Sequence, residues 1–341
     1  MTKLPESESV FERIQKLLDD SERSRTDVRL LHRLLKTVGD LAEGKASTLD
    51  IKIASSALEE MVKAYGVFAP YRNTPKVSIF GSARTAPNSE IYDLTVRTAA
   101  ALADSGFMVV TGAGPGIMEA GMVGAGREKS IGVSIRLPFE TGANSVIAGD
   151  EKYVSMRYFF TRKLMLVKES QAFLCLPGGF GTLDETFELL TLAQTAKSVP
   201  VPIVFLEVPG QPFWTPLMKA MEPLLIEHGL ISPSDVTLYR ITNSVEDAVN
   251  EITSFYHNYQ SLRFVGDRMY LRVKRAIPEN EFLAIASKYS HLSSDGILEQ
   301  TGPTPEEVSD DDSVDMYRVA LHYSAKGFAD VRPLIDELNL Y

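Results

Sequence analysis

The chain has 341 residues, enough for two or three domains, and its 44% hydrophobic and 23% charged content is ordinary for a soluble globular protein. The net charge of −10 argues against a general nucleic-acid-binding surface, and no apolar stretch approaches the roughly 20 residues that cross a bilayer. One cysteine excludes an intramolecular disulfide, and the N-terminus lacks the apolar segment of a secretory signal, so we expect a cytoplasmic protein. The histidines and the cysteine show no zinc-ligand spacing, so no metal is expected.

Residues 1–73 are predicted to form a helical N-terminal extension. Apolar residues recur at helical spacing in three segments, 7–20, 27–41 and 48–65. We expect the extension to pack on the main domain or to build an oligomer interface, with a regulatory role as the alternative.

Residues 74–260 alternate between strand and helix signals, which predicts an α/β domain with a doubly wound parallel sheet covered on both faces. The predicted strands are 77–80, 107–111, 131–135, 172–176 and 201–206, and the predicted helices are 89–103, one ending at 127, 157–169, 186–194, 214–227 and 245–259. Ligands of such sheets bind beyond the carboxyl ends of the strands, where the glycine-rich loops of this segment fall.

Residues 261–341 are predicted to form a small α+β module. A strand at 264–275, a helix at 279–289, strands at 296–299 and 315–324 and a helix at 328–338 give the order β-α-β-β-α. This order resembles a ferredoxin-like module without its last strand. The acidic run 306–312 is expected to be a solvated, mobile loop.

The most informative segment is LPGGFGTLDE, residues 176–185. It follows a predicted strand and leads into a predicted helix, so its glycines would present unpaired backbone N–H groups and the positive end of a helix dipole. Such a turn binds phosphate. Asp184 and Glu185 are placed by this prediction in the first turn of the helix. A tight turn without a ligand is the alternative.

Residues 177–185 resemble the PGGxGTxxE signature of the LOG family, the phosphoribohydrolases that cleave the N-glycosidic bond of nucleoside 5′-monophosphates and that were often labelled lysine decarboxylases. Arg162-Lys163 is similar to the Arg-Lys pair of that family, and residues 112–120 (GAGPGIMEA) to its second glycine loop. The resemblance begins at residues 78–84 and ends at about residue 208. The family usually has a third glycine where this chain has Ala113.

The resemblance implies that Glu185 is the catalytic acid. A carboxylate near the anomeric carbon would stabilise the positive charge that develops on the ribose ring, and could orient or deprotonate the attacking water. The alternative is an acid that merely favours the helix dipole, a role that Asp184 fits better. Arg162 stays protonated in proteins, so its expected role is to hold the substrate, position Glu185 or polarise the leaving base; a surface arginine is the alternative.

Gly179, Gly181 and Thr182 are predicted to bind the 5′-phosphate of the substrate. Further substrate-binding candidates are Gly112, Gly114, Gly116, Ser82, Arg84, Glu119, Lys163, Met156 and Arg157. Capping of the helix dipole is the alternative for Glu119, a place at the rim for Arg84, and packing for Met156 and Arg157. A Schiff base between Lys163 and pyridoxal phosphate is disfavoured, because nothing else in the sequence supports that cofactor.

The resemblance implies hydrolysis of an AMP-like nucleotide to free base and ribose 5-phosphate without a cofactor. It also implies a homodimer or higher homo-oligomer with the site close to the subunit interface, for which Tyr158, Phe159 and the helix 157–166 are candidates. No nucleic acid or membrane partner is expected. The alternative is a non-catalytic carrier of a nucleotide or of molybdenum cofactor, which the presence of both Glu185 and Arg162 disfavours.

Overall fold

The computed structural model describes residues 10–19, 24–136 and 142–341. Contacts within the chain group it into two compact units, Met1–Glu59 and Glu60–Tyr341. The first helices are α1 (Val10–Asp19), α2 (Arg25–Glu43) and α3 (Thr48–Phe68). The helices predicted at 27–41 and 48–65 are thus confirmed, whereas residues 7–9 and 20 of the helix predicted over 7–20 lie outside the described residues. The division into three domains at residues 73 and 260 stays a prediction.

The centre of the second unit is a seven-stranded sheet in the order β4-β3-β2-β1-β5-β6-β7, with every pair of neighbours parallel. Its strands are β1 (Lys76–Phe80), β2 (Met108–Thr111), β3 (Ser130–Ile135), β4 (Tyr153–Met156), β5 (Ala172–Cys175), β6 (Ile203–Leu206) and β7 (Arg240–Thr242). The helices between them are α4 (Glu90–Asp104), α5 (Ile117–Ala125), α6 (Phe159–Lys168), α7 (Phe180–Gln194), α8 (Trp214–Glu227) and α9 (Val245–Ser254).

Helices cover both faces of this sheet. Strands β1, β2, β5 and β6 are buried along their whole length, as expected for parallel strands enclosed on two sides. One apolar core joins the sheet to α6, α7 and α8, and a second core on the other face joins it to α4 and α9. The predicted α/β fold, a Rossmann-like doubly wound parallel sheet, is confirmed.

Several elements of this domain differ from the prediction. The edge strands β4 and β7 were not predicted, because each has only three or four residues and neither is buried throughout. Helix α9 ends at Ser254 instead of residue 259, since residue 259 is already the first residue of the next strand. Helix α7 begins at Phe180, six residues before the predicted start, so the glycine-rich segment is partly helical.

The C-terminal part forms a four-stranded antiparallel sheet in the order β10-β11-β9-β8. Its elements are β8 (Tyr259–Val265), β9 (Arg268–Val273), α10 (Glu279–Lys288), β10 (Ser293–Thr301), α11 (Pro305–Asp310), β11 (Tyr317–Tyr323) and α12 (Val331–Leu338). The strand predicted over 264–275 is a hairpin, not one strand. Its first strand, β8, lies at the edge of the sheet beside β9, the position of the last strand in a ferredoxin-like order.

The acidic run 306–312 is not the solvated loop that the sequence predicts. Most of it belongs to α11, whose N-terminus is closed by a capping box between Thr304 and Glu307. The Glu307 side chain is fully buried and accepts hydrogen bonds from Arg272 (2.6 and 2.9 Å) and from Arg318 (3.1 Å). Buried arginines on two neighbouring strands therefore neutralise this acid, a partnership that the local composition does not reveal.

Among the described residues, no helix combines the length and the hydropathy needed to span a bilayer. The same residues bring together no group of three or more histidine, cysteine, aspartate or glutamate side chains placed to hold a metal ion.

A stability prediction follows from Gly116, the residue that precedes α5. Its φ of +67° lies in the region that side chains disfavour, and a Cβ there would overlap the carbonyl oxygen of Ser82. We expect Gly116→Ala to lower the free energy of unfolding by about 2–4 kcal/mol, measured by urea denaturation. Gly181→Ala is the matched control, because open space surrounds Gly181 within α7, and a change of no more than about 1 kcal/mol is expected. Equal losses in the two variants would contradict the argument.

Candidate active site

A cavity of about 1190 Å³ opens at the carboxyl ends of the central strands. It is lined by the segments that follow β1, β2, β3 and β5, together with residues of β4, α6, α7 and α8. The lining includes Ser82, Arg84, Gly112, Gly114, Arg136, Tyr153, Ser155, Phe159, Arg162, Gly179, Gly181, Thr182 and Glu185. Parallel strands end at one edge of the sheet, so motifs far apart in the sequence meet here.

The turn between β5 and α7 forms one wall of the cavity. Helix α7 starts at Phe180 with Gly179 as its N-cap residue, and no side chain caps its first turn. The backbone N–H groups of this turn therefore stand at the cavity with the positive end of the dipole. A Cβ at Gly178 would overlap the Thr182 hydroxyl, whereas open space surrounds Gly179 and Gly181. Gly178 thus lets Thr182 fold back against the turn, and the other two glycines leave room for a ligand.

Glu185 lies in the second turn of α7, not in the first turn where the sequence places it. It is 8% exposed, and its Oε1 lies 4.0 Å from Arg162 Nη1. Its Oε2 is buried without a hydrogen-bond partner in the described part of the chain. Burial raises the pKa of the Glu185 carboxyl to about 7, although Lys163 and Arg162 oppose the shift. A carboxyl beyond the first turn gains little from the helix dipole, so the alternative of a dipole-favouring acid does not fit Glu185.

Arg162 is fixed by α6 and by the sheet. Its Nε donates a 3.0 Å hydrogen bond to the carbonyl oxygen of Val133 on β3. Its guanidinium lies so close to Gly112 that a Cβ at that glycine would overlap Nη2. Gly112 therefore both makes room for Arg162 and lines the cavity. The alternative that Arg162 is a surface arginine is wrong, since its side chain is only 14% exposed.

Lys163, the next residue, does not line the cavity. Its Nζ lies 2.8 Å from Asp184 and 2.8 Å from Glu188, which stand one residue before and three residues after Glu185 on α7. The lysine thus joins α6 to α7 and stands beside the catalytic candidate instead of contacting a ligand directly. This placement supports a role in fixing Glu185, which the sequence did not suggest.

The second glycine loop has two parts. Gly114 lines the cavity, and a Cβ there would lie 2.6 Å from Met118 Cε. Gly116 does not line the cavity. Its missing side chain lets the loop pack closely against the backbone of Ser82 and Ala83. Ala113, at the position where the family usually has a glycine, adopts a φ of +58° and is fully buried. The departure therefore places a residue with a Cβ in the left-handed backbone region, at a position that does not line the cavity.

The other predicted residues separate into two groups. Ser82 and exposed Arg84 line the cavity, with the Arg84 N–H donating to Ser82 Oγ at 3.1 Å. Glu119, Met156 and Arg157 do not line it. Glu119 stands close enough to Tyr92 to raise the pKa of that phenol, after the larger effect of burial. Met156 is fully buried in the core beneath α6, and exposed Arg157 lies over the ring of Tyr158 at 5.8 Å.

Four polar residues of the cavity were missed by the sequence analysis. Ser134 Oγ lies 2.7 Å from Tyr153 Oη, and Arg136 Nε donates to Ser155 Oγ at 3.3 Å. They come from β3, its end and the unpredicted strand β4. The alternation of buried and half-buried residues in β4 was the signal available, but four residues are too few to distinguish it from a loop.

Comparisons with known proteins give matches in sequence and in structure. Residues 113–252 match a family model described as "Possible lysine decarboxylase". A cytokinin riboside 5′-monophosphate phosphoribohydrolase of Arabidopsis thaliana is 30% identical over 101 residues, 30% of this chain and 46% of the relative. A probable enzyme of the same description from Oryza sativa is 28% identical over 162 residues, 47% of this chain and 70% of the relative.

Two solved structures illustrate the structural matches. The molybdenum cofactor carrier protein of Chlamydomonas reinhardtii is 21% identical, covers 52% of this chain and 94% of its own, and has a TM-score of 0.36. DNA processing protein A of Helicobacter pylori is 19% identical, covers 52% of this chain and 80% of its own, and has a TM-score of 0.37.

The chain spans about half the length of the first curated relatives that it matches. Several of these relatives carry the same phosphoribohydrolase description, and the family match includes α6, β5 and the glycine-rich start of α7. The resemblance of this Rossmann-like domain to the LOG family, predicted from its motifs, is confirmed.

Proposed function

We propose that this protein hydrolyses the N-glycosidic bond of a nucleoside 5′-monophosphate, giving the free base and ribose 5-phosphate. The observation that carries the proposal is the place of Glu185, a buried carboxylate with one unpartnered oxygen, on the helix whose first turn offers the backbone N–H groups. The names of the curated relatives support the same reaction.

The geometry suggests how the substrate is held. A phosphate at the first turn of α7 would accept hydrogen bonds from the amides of residues 180–182, with Gly179 and Gly181 leaving room for it. Glu185 lies one turn further along the same helix. A ribose attached to that phosphate would therefore extend over the Glu185 carboxylate and reach Arg162.

In the reaction, the bond between C1′ and the base nitrogen breaks and its electron pair leaves with the base. The ionised Glu185 carboxylate stabilises the positive charge on the ribose ring and accepts a proton from water as the water oxygen bonds to C1′. The proton finally resides on the departing base. Arg162, permanently charged and held by the Val133 carbonyl, orients Glu185 and lies where it can contact the leaving base.

We also propose that the protein works as a homo-oligomer. Helix α6 exposes Phe159, Phe160 and Leu164, and Phe180 is 92% exposed beside the cavity. Several large exposed apolar side chains on one helix and at the edge of a site are typical of an interface, which supports the interface expected at α6.

The first prediction concerns the reaction itself. Purified protein incubated with AMP is expected to release adenine and ribose 5-phosphate, resolved by chromatography. Glu185→Gln, nearly identical in shape, should lower kcat by about 10²-fold or more because the carboxylate is lost. If AMP is returned intact, the other nucleoside monophosphates are tested in turn. Tight binding of one of them with intact recovery would contradict hydrolysis and favour the carrier.

The second prediction concerns pH. Because the ionised carboxylate is the active form and its pKa is about 7, kcat/KM should rise with pH and level off above about 7. The substrate phosphate titrates near a pKa of about 6, so it would produce a separate step at lower pH. Lys163→Met removes a cation that lowers the pKa of Glu185, so the midpoint should move to higher pH. An unchanged midpoint in that variant would count against Glu185 as the titrating group.

The third prediction concerns stability and needs no substrate. The folded pKa of Glu185, about 7, exceeds its ordinary value of 4.5, so the folded state binds this proton more tightly and loses stability as pH rises between these values. The cost is complete above pH 7 and is on the order of 3 kcal/mol. Glu185→Gln should therefore unfold at a higher urea concentration than wild type at pH 8, with the advantage largely absent at pH 4.5. A Glu185→Gln variant less stable than wild type at pH 8 would contradict the claim that the ionised Glu185 carboxylate destabilises the folded state.

A further inference from the structure

Helix α6, which carries Arg162 and Lys163, does not cap its own N-terminus. The N-cap residue Tyr158 makes no side-chain hydrogen bond to the first turn. The first N–H groups of a helix have no partners within it, so a helix start without a side-chain cap depends on contacts from other parts of the chain.

Glu60, about 100 residues upstream on α3, instead binds the two residues that lead into the helix and the Thr161 hydroxyl in its first turn. Glu60 Oε1 accepts a 2.6 Å hydrogen bond from the N–H of Arg157, and Oε2 accepts from the Tyr158 N–H at 3.4 Å. The Thr161 hydroxyl donates to the same Oε2 at 2.7 Å. Glu60 is 8% exposed and Thr161 is fully buried, so water does not readily replace this carboxylate. A negative charge at the start of α6 also complements the helix dipole.

The residue held by Glu60 in the first turn of α6 is next to a residue of the cavity. Arg162 follows Thr161 directly, and its guanidinium is held by the Val133 carbonyl on one side and by the tight approach to Gly112 on the other. The distance from Nη1 to Glu185 is already 4.0 Å. A displacement of α6 by about 1 Å would break the bond to Val133 and move the guanidinium away from the carboxylate.

We propose that Glu60 is a positioning residue of the active site, which fixes the start of α6 and thereby the place of Arg162 relative to Glu185. The proposal rests on the proposed function, but goes beyond it by making a residue outside the family match part of the catalytic apparatus. Through Glu60, the upstream helix α3 then helps to hold Arg162 in place.

The structure separates a positioning effect from a general loss of folding. The predicted phosphate-binding turn belongs to α7, whereas the hydrogen bonds of Glu60 go to residues 157, 158 and 161 at the start of α6. Loss of Glu60 should therefore reduce the chemical step and leave phosphate binding nearly intact.

The experiment compares Glu60→Ala and Glu60→Gln with Glu59→Ala, an exposed acid next to it on α3. In Glu60→Ala, kcat for the nucleotide hydrolysed by wild type is expected to fall about 10–100-fold, with KM changed less than about threefold. Glu60→Gln keeps an oxygen for the Arg157 N–H, and the Thr161 hydroxyl can accept from its amide, so most of kcat should return. Glu59→Ala should match wild type.

A pH profile supplies a readout that a purely structural residue would not move. Arg162 lowers the pKa of Glu185, so its displacement should shift the midpoint of kcat/KM to higher pH in Glu60→Ala. Wild-type kcat and midpoint in folded Glu60→Ala would overturn the proposal. So would equal losses in Glu60→Ala and Glu59→Ala, or a Glu60→Gln variant that is folded and as slow as Glu60→Ala.

Hydrogen exchange distinguishes failure of this proposal from failure of the proposed function. If wild type cleaves no nucleotide, amide exchange of residues 159–168 is still expected to accelerate at least tenfold in Glu60→Ala, or in Glu60→Gln if the alanine variant does not fold. Exchange of residues 180–194 and calorimetric binding of ribose 5-phosphate should stay at the wild-type level. Unchanged exchange in α6 would show that Glu60 does not fix this helix.

Discussion

The ion pairing between α6 and α7 is the interaction on which the candidate site depends. Two adjacent cations, Arg162 and Lys163, face three acids that lie within two turns of α7. The lysine is engaged by the outer two acids, so the middle one, Glu185, is left with an arginine at a longer distance and a free oxygen. This arrangement keeps a carboxylate largely buried and nearly unpaired inside a folded protein, which is costly for stability and useful for chemistry.

Close backbone approach is the second constraint on the site. At Gly112 and Gly178 the missing side chain makes room for another residue of the protein, namely Arg162 and Thr182. At Gly179 and Gly181 the space is open to the cavity. Glycines in one motif therefore serve two purposes, and the sequence alone does not distinguish those that admit a ligand from those that admit a neighbouring side chain.

The parts of the structure that could be predicted from the sequence are those with local signals. Apolar runs located β1, β2, β3, β5 and β6, and the motif placed Glu185 and the glycine turn at one edge of the sheet. The partners of buried charges could not be predicted, because Glu60 with α6 and Glu307 with Arg272 join segments far apart in the chain. The short edge strands β4 and β7 could not be predicted for a different reason, since three or four partly exposed residues show no clear hydrophobic period.

The position of β8 has a consequence for how the C-terminal sheet assembles. A two-residue turn, with a φ of +62° at Gly266, connects β8 directly to β9. In a ferredoxin-like order the same edge is filled by the last strand of the chain, which must return across the whole module before it pairs. Here that pairing is made between sequence neighbours, so the loop-closure entropy is small and the contact order of the module is lowered. A β-hairpin forms in about 1–10 μs. Strand β8 can thus occupy the edge beside β9 before the slower pairing of β11 with β9 is complete.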